Sequence, residues 1–325
     1  MGQAVAQETV GETLVQFLDQ VAGRFGPRAA LLFKPAFRYQ RWTYSDLWEG
    51  AGQVASLLLQ RGLAKGDRVL LWGHNSPQWV LAFFGCMRAG VVVVPLDLRS
   101  SSEFVERVAS KTDPKLAFIS RLTPQVHEEI GVPEVYLEEL EELFQDLPSP
   151  EAVSVASNDL AEIMFTSGTT GDPKGVMLTH GNLVSNLQAA IQHIPGKPSD
   201  RLLSILPLSH MFEQMGGLLM ALRVGANITY PTSRQPTVLF RTMRERKVSL
   251  LLLVPQGLDL FMKGIEREVR RQGKERMWRL LLKVAQFTPF KLRRTLFRTV
   301  HKKFGGALEF VVSGGAALDP DLGAK

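Results

Sequence analysis

The sequence is poor in cysteine, in long apolar runs and in repetition, and each shortage narrows what the chain can be. One cysteine in 325 residues, Cys86, rules out an internal disulfide. It sits after the apolar stretch from Trp79 to Gly85, so it reads as a buried thiol, and a reducing, cytoplasmic setting is expected. No apolar run approaches the roughly 20 residues that a membrane-spanning helix needs, so none is predicted. The first residues, Met1 to Ala6, lack the basic and apolar order of a signal peptide, and Ala6 stands where a myristoylation signal wants Ser or Thr. No internal repeat is visible. What remains is an ordinary globular composition, 45% hydrophobic and 22% charged, on a chain long enough to bury a large core.

The net charge of +6 is unevenly placed. Residues 263–303 hold 14 lysines and arginines against 3 acidic residues, whereas the rest holds 24 against 29. Within that segment Arg267, Arg270, Arg271, Lys274, Arg276, Arg279 and Lys283 alternate at helical spacing with Leu280, Leu281, Leu282 and Phe287. Phe290 to Arg298 repeats the mixture. Such faces suit either a solvated helix pair packed on a sheet or a peripheral anionic membrane surface. No base-reading motif accompanies them, so nucleic acid is not an expected partner.

Short apolar runs alternate with helical patterns along most of the chain. Arg68 to Trp72, Val91 to Val94 (stopped by Pro95), Lys115 to Ile119, Leu202 to Leu206, Gly225 to Tyr230, Val248 to Val254 and Leu308 to Val312 read as strands. Gln78 to Ala89 reads as a helix ended by Gly90, and Ser102 to Lys111 as a helix with serines available to cap it. Continuous apolar strands with helical crossovers predict an α/β fold with parallel sheets covered on both faces. Ser120 to Asn158 is acidic and ends near Pro148 and Pro150; it reads as an irregular excursion and linker.

The most informative string is Thr166-Ser167-Gly168-Thr169-Thr170-Gly171-Asp172-Pro173-Lys174-Gly175. Glycines let backbone amides approach a ligand closely, the hydroxyls add donors, and Lys174 adds a compact charge suited to phosphate. Set between the strand-like runs Ile163 to Phe165 and Val176 to Thr179, it is a polyphosphate cradle by its chemistry. It is not the common nucleotide loop, which ends in Gly-Lys-Ser/Thr directly before a helix. The string resembles the phosphate-loop signature of the acyl-adenylate-forming (AMP-binding) superfamily.

Two further motifs gain weight from that resemblance. Leu206-Pro207-Leu208-Ser209-His210-Met211-Phe212-Glu213 alone would be an ordinary strand end with a hydrogen-bonded histidine. It resembles the family's carboxylate-site motif, most closely that of long-chain fatty acyl-CoA synthetases. There His210 would gate the acyl pocket rather than act as a base, Met211 and Phe212 would shape it, and Gly216-Gly217 would leave room for a tail. Ser313-Gly314-Gly315-Ala316-Ala317-Leu318, at a strand's end, resembles the family's adenine segment, with Ala317 replacing the usual proline.

The resemblance implies ATP held at its phosphates by Thr166, Ser167, Gly168, Thr169, Thr170, Gly171, Lys174 and Gly175, and its adenine faced by Gly314, Gly315 and Ala316. It implies magnesium and coenzyme A as well, and activation of a fatty acid, with long chains the first expectation, to acyl-AMP and then acyl-CoA; the alternatives are an acyl-AMP ligase for another acceptor or for an aryl or other acid, and a non-catalytic nucleotide- or membrane-binding module. It implies an architecture of stacked parallel-sheet subdomains, about 65–178 forming the first and about 1–60 with 180–325 the second. His74-Asn75-Ser76-Pro77-Gln78-Trp79 is similar to the entry of the first subdomain. The family's Tyr-Gly-x-Thr-Glu segment would fall beyond Lys325, and its Glu is the family's magnesium ligand, so no metal-binding residue is assigned within the sequence. The family's barrel and its C-terminal domain, with a lysine that assists adenylation, would also fall beyond Lys325. The expectation is therefore a truncated N-terminal portion with binding remnants and little turnover of its own.

Overall fold

A computed structural model describes residues 10–124, 131–144, 147–148, 150, 153–166, 172–194 and 196–324. The twelve strands assigned among them are β1 (Ala29–Phe33), β2 (Gln40–Thr43), β3 (Arg68–Gly73), β4 (Val92–Asp97), β5 (Leu116–Ile119), β6 (Glu134–Tyr136), β7 (Leu160–Thr166), β8 (Lys174–Thr179), β9 (Arg201–Leu203), β10 (Asn227–Tyr230), β11 (Leu250–Leu253) and β12 (Phe310–Ser313). The longer helices are α1 (Leu14–Phe25), α2 (Tyr44–Gln60), α3 (Pro77–Ala89), α4 (Ser102–Thr112), α5 (His180–His193), α6 (Pro236–Arg246), α7 (Pro255–Arg271) and α8 (Glu275–Gln286), followed by the shorter α9 (Phe290–Leu296) and α10 (Arg298–Lys303). The chain divides into two compact units, one running to Ser199 and including Pro207–Tyr230, the other comprising Asp200–Leu206 and the chain from Pro231.

In the first unit one sheet runs β6-β5-β3-β4-β7-β8. All its pairings are parallel except β7 with β8, which form an antiparallel hairpin. β1 pairs in parallel with β10 and antiparallel with β2 in the same unit. Both faces of the central strands are covered, as continuous apolar strands require: on one, Leu70, Trp72, Val94, Leu96, Ala117 and Ile119 pack with Val105, Val108 and Ala109 of α4, with Ile163 and Phe165 of β7 against the same cluster, and on the other Val69, Leu71, Val93 and Phe118 are buried. Each such buried aliphatic side chain contributes on the order of 2 kcal/mol. In the second unit β12-β11-β9 form a parallel array whose core includes Leu203, Met243, Leu251, Leu253 and Phe304. The expected α/β architecture of helix-covered parallel strands is present in both.

Local signals fix where several helices start and end. Ser76 caps α3 by accepting from Trp79 N–H, with Pro77 at the first helical position and Gly90 in the left-handed cap. Ser101 caps α4 in the same way through Phe104 N–H. Thr179 and Asn182 form a reciprocal capping box that starts α5 directly after β8.

Two expectations are corrected. Pro95 does not stop a strand; it lies inside β4, opposite Leu71. Val92 N–H donates to Asp67 O, so alternate residues of β4 turn toward β3, and Pro95 faces the β7 side. There its missing donor ends the ladder begun at Val93 and Glu162 without breaking the strand. The acidic stretch after Ser120 is not wholly irregular. It supplies the edge strand β6 and a short helix, Leu140–Phe144, because Val135, Leu137, Leu140 and Phe144 are buried while the glutamates between them face out.

Candidate functional site

The C-terminal edge of the first sheet gathers the chemistry. Parallel strands present their carboxyl ends on one side, where ligands of open α/β sheets bind. Gly73 and Asp97 end β3 and β4 in register, Ser120 follows β5, and Thr166 ends β7, four residues beyond the Glu162 that pairs with Val93.

The β7–β8 hairpin carries the glycine- and threonine-rich string. Thr166 pairs with Lys174 and Phe165 with Gly175, so the string leaves and re-enters the sheet at one place. Ser167, Gly168, Thr169, Thr170 and Gly171 lie outside the described residues. The loop's returning foot is described: Lys111 Nζ, from the end of α4, donates to Asp172 Oδ2 at 2.7 Å and to Pro173 O at 3.0 Å. Lys174 is exposed. A Cβ on Gly175 would lie 2.9 Å from Ile163 Cγ2 and 3.0 Å from Phe165 Cζ, so a larger residue there would force these side chains to shift.

His210 stands at the same sheet edge. Its Nε2 lies 3.3 Å from Asp97 Oδ2. Arg99 donates to the same carboxylate from its backbone N–H at 2.8 Å and from its guanidinium at 3.2 Å. Burial works to raise the Asp97 carboxyl, but the hydrogen bonds from His210 and Arg99 outweigh it and hold it well below the usual carboxylate range. Asp97 is therefore an anion that orients His210. The preceding loop is fixed by Leu208 N–H donating to Asn75 Oδ1 at 2.9 Å, which joins the His74–Trp79 motif to the Leu206–Glu213 motif. Beside it, His74 Nδ1 lies 3.0 Å from Ser120 Oγ, and burial lowers its basicity against an opposing pull from Glu138.

Met211 and Phe212 are half-buried and lead into a π-helical turn, Glu213–Leu219. Single π turns interrupt helices where side chains must be re-aimed. Here Gln214 Nε2 donates to Glu162 Oε2 at 2.9 Å, linking the turn to β7 beneath the phosphate string. Glu162 is fully buried; burial pushes its carboxyl up to about 7, against a smaller lowering by the Gln214 hydrogen bond. Gly216 is half-buried, and the space beside Gly217 is filled by the Glu213 carboxylate, 2.5 Å from where a Cβ would sit.

In the second unit, β12 delivers Gly314, Gly315 and Ala316. Gly314 N–H donates to Leu253 O at 3.3 Å, and Gly315 takes φ +78°, a left-handed turn that suits glycine. Gly315 and Ala316 are exposed, leaving backbone available at the end of a parallel strand.

Sequence reasoning did not find Asp97, Arg99, Lys111, Glu162 or Gln214 as site residues. None stands in a string with a local signature; Asp97, Lys111, Glu162 and Gln214 enter through contacts distant in sequence, and Arg99 through its hold on Asp97 two residues away. Lys325, the position beyond which the resemblance puts the magnesium-binding Glu, lies outside the described residues, like the middle of the phosphate string. Among the described residues no cluster of three His, Cys, Asp or Glu side chains could hold a metal ion.

Known proteins are similar to this chain in sequence and in fold. The chain is 25% identical over 275 residues to the crotonobetaine/carnitine–CoA ligase of Salmonella paratyphi C, covering 78% of this chain and 53% of that protein. It is 29% identical over 277 residues to the acyl-CoA ligase sidI of Aspergillus fumigatus, covering 75% and 46%. The chain thus spans about half the length of the curated relatives it matches. In fold it is similar to VinN in complex with L-aspartate, with a TM-score of 0.75 at 20% identity over 97% of this chain and 72% of that one. It is similar as well to the N-terminal domain of FACL13 from Mycobacterium tuberculosis, with a TM-score of 0.75 at 21% identity over 95% and 71%. With the family described as AMP-binding enzyme matched from residue 18 to residue 325, across both units and all three motifs, the chain belongs to the AMP-binding enzyme family.

Proposed function

We propose that this chain forms the nucleotide and acyl part of an ATP-dependent ligase that turns a carboxylic acid into acyl-AMP and then into a coenzyme A thioester. A long-chain fatty acid is the proposed substrate class. The observation that carries the reading is the β7–β8 hairpin, which returns a string of small hydroxyl residues, glycines and Lys174 to the carboxyl edge of a parallel sheet. The printed names of the two curated relatives, both CoA or acyl-CoA ligases, support the reaction type. The Pro207–Glu213 wording supports a fatty acid.

In this reading a carboxylate oxygen attacks the α-phosphorus of ATP and pyrophosphate leaves; the thiol of coenzyme A then loses its proton, attacks the acyl carbon and displaces AMP. The chain supplies positioning and charge rather than a nucleophile. Thr166 to Gly175 hold the β- and γ-phosphates, with Lys174 as the mobile cation. Gly314, Gly315 and Ala316 face adenine. His210, fixed by Asp97, stands with Met211, Phe212 and Gly216 at the entrance for the acid. Magnesium, expected with ATP, neutralises phosphate charge when bound; the described residues provide no cluster for it, and no step is assigned to it.

The test is carboxylate-dependent ATP–pyrophosphate exchange on the whole protein that carries this chain, across acids from acetate to palmitate and including aryl and carnitine-like acids. Exchange that rises with chain length and drops at least tenfold in Lys174→Ala is expected. Exchange confined to short, aryl or carnitine-like acids would keep adenylation and overturn the fatty-acid assignment. No exchange with any acid from a folded protein would overturn both.

A further inference from the structure

We infer that the outer face of α8 is a docking surface for an anionic lipid bilayer. This helix has one broad apolar arc with two flanks. One holds it to the protein: Ala285 is buried, and Trp278 meets Phe297 edge-on with ring centroids 5.4 Å apart. The other has no such cover: Met277, Leu280, Val284 and Phe287 are 51%, 61%, 43% and 88% exposed. At 3.6 residues per turn these four fall on one stripe, which adjoins the buried flank through half-buried Leu281. Arg276, Arg279 and Lys283, all exposed, run along the stripe's outer edge. Leu292 on α9 and Leu260 on α7 are exposed as well.

The occupant follows from what these groups demand together. The segment carries 14 cations against 3 acids. Two of those acids are engaged within it: Glu268 pairs with Arg271 at 2.8 Å and Lys303 at 3.2 Å, and Glu275 with Arg270 at 2.9 Å. The cations beside the stripe thus add to a positive face. A nucleic acid backbone matches the charge but gives Leu280, Val284 and Phe287 no apolar surroundings. An anionic bilayer satisfies both demands: phosphates take the guanidinium and ammonium heads, whose stems snorkel past the apolar stripe into the headgroup boundary. All of these residues belong to the second unit, and the inference stands independently of the adenylation reading.

Co-sedimentation of the chain with phosphatidylcholine vesicles, with and without phosphatidylglycerol, tests it. Binding to the anionic vesicles that weakens with salt is expected. Replacing Arg276, Arg279 and Lys283 by Gln should lower partitioning by about fivefold per cation, roughly a hundredfold together. Leu280→Ser with Phe287→Ser should lower it at unchanged charge. Circular dichroism and the melting temperature show that the variants remain folded; if one does not, the salt dependence of the unaltered chain serves in its place. Failure of the folded chain to bind anionic vesicles overturns the inference, as does equal binding by the glutamine variant, or binding to duplex DNA without binding to vesicles.

Discussion

Gly175 and Asp97 show how much single positions carry here. A Cβ at Gly175 would press on Ile163 and Phe165 at 2.9 Å and 3.0 Å, inside the contact distance real side chains keep. Gly175→Val should therefore destabilise the first unit by about 1–3 kcal/mol, read as a lower midpoint in urea. An unchanged midpoint would mean the hairpin relaxes freely. Asp97 accepts from His210 and Arg99 and stays ionised well into acid. Asp97→Asn removes the charge that orients His210. With the proposed ligase, KM for the acid should rise more than kcat falls, because the change disturbs the acid's entrance and leaves the phosphate string intact. Loss confined to KM for ATP would contradict this placing of His210.

At the scale of elements, a helix, a strand and a loop meet at Lys111. The end of α4 grips the returning foot of the phosphate string through Asp172 and Pro173. The pair is largely solvent-exposed, so Lys111→Met should change stability by less than about 1 kcal/mol. Its effect should appear in binding: a freed loop foot raises the Kd for ATP several-fold, measured by calorimetry. An unchanged Kd with an unchanged melting temperature would reduce the contact to surface decoration. The capping box at Thr179 acts differently, since it fixes where β8 stops and α5 starts. Thr179→Ala should cost about 1 kcal/mol in stability.

For the molecule as a whole, two buried groups give stability a pH dependence with opposite slopes. Glu162 takes its proton more readily folded than unfolded, its carboxyl raised from 4.5 to about 7. Its contribution is complete below pH 4.5 and is lost as pH rises through about 7. That shift corresponds to a few kcal/mol. His180, buried and accepting Leu14 N–H at Nδ1, is lowered from 6.5 to about 4, chiefly by burial. Its contribution is complete above pH 6.5 and is lost as pH falls through about 4. Glu162→Gln should therefore raise the melting temperature above about pH 7, with the gain closing toward pH 4.5. A gain of equal size at both ends would show that ionisation of Glu162 is not its source.

Some of this was legible in the sequence. The parallel α/β layout followed from apolar strands with helical crossovers, and α3 and α4 followed from their helical patterns with Gly90 to end one and a serine to cap the other, signals that act within three positions. The phosphate string and the Gly314–Gly315 turn were legible because their chemistry is contiguous along the chain. Tertiary structure alone decided the rest. Asp97 meets His210, Asn75 meets Leu208, Lys111 meets Asp172 and Glu162 meets Gln214 across long separations, because sheet register brings strand ends together. Pro95 remained in a strand because its missing donor faces β7, where it ends the short ladder, and not β3, whose pairing runs on. Likewise, the pattern of residues 275–287 marked an amphipathic helix, but only packing could decide which of its apolar residues were covered. A helix with a broad apolar arc can bury one flank of it against its own protein, and Ala285 and Trp278 took that side, leaving Leu280 and Phe287 in the open.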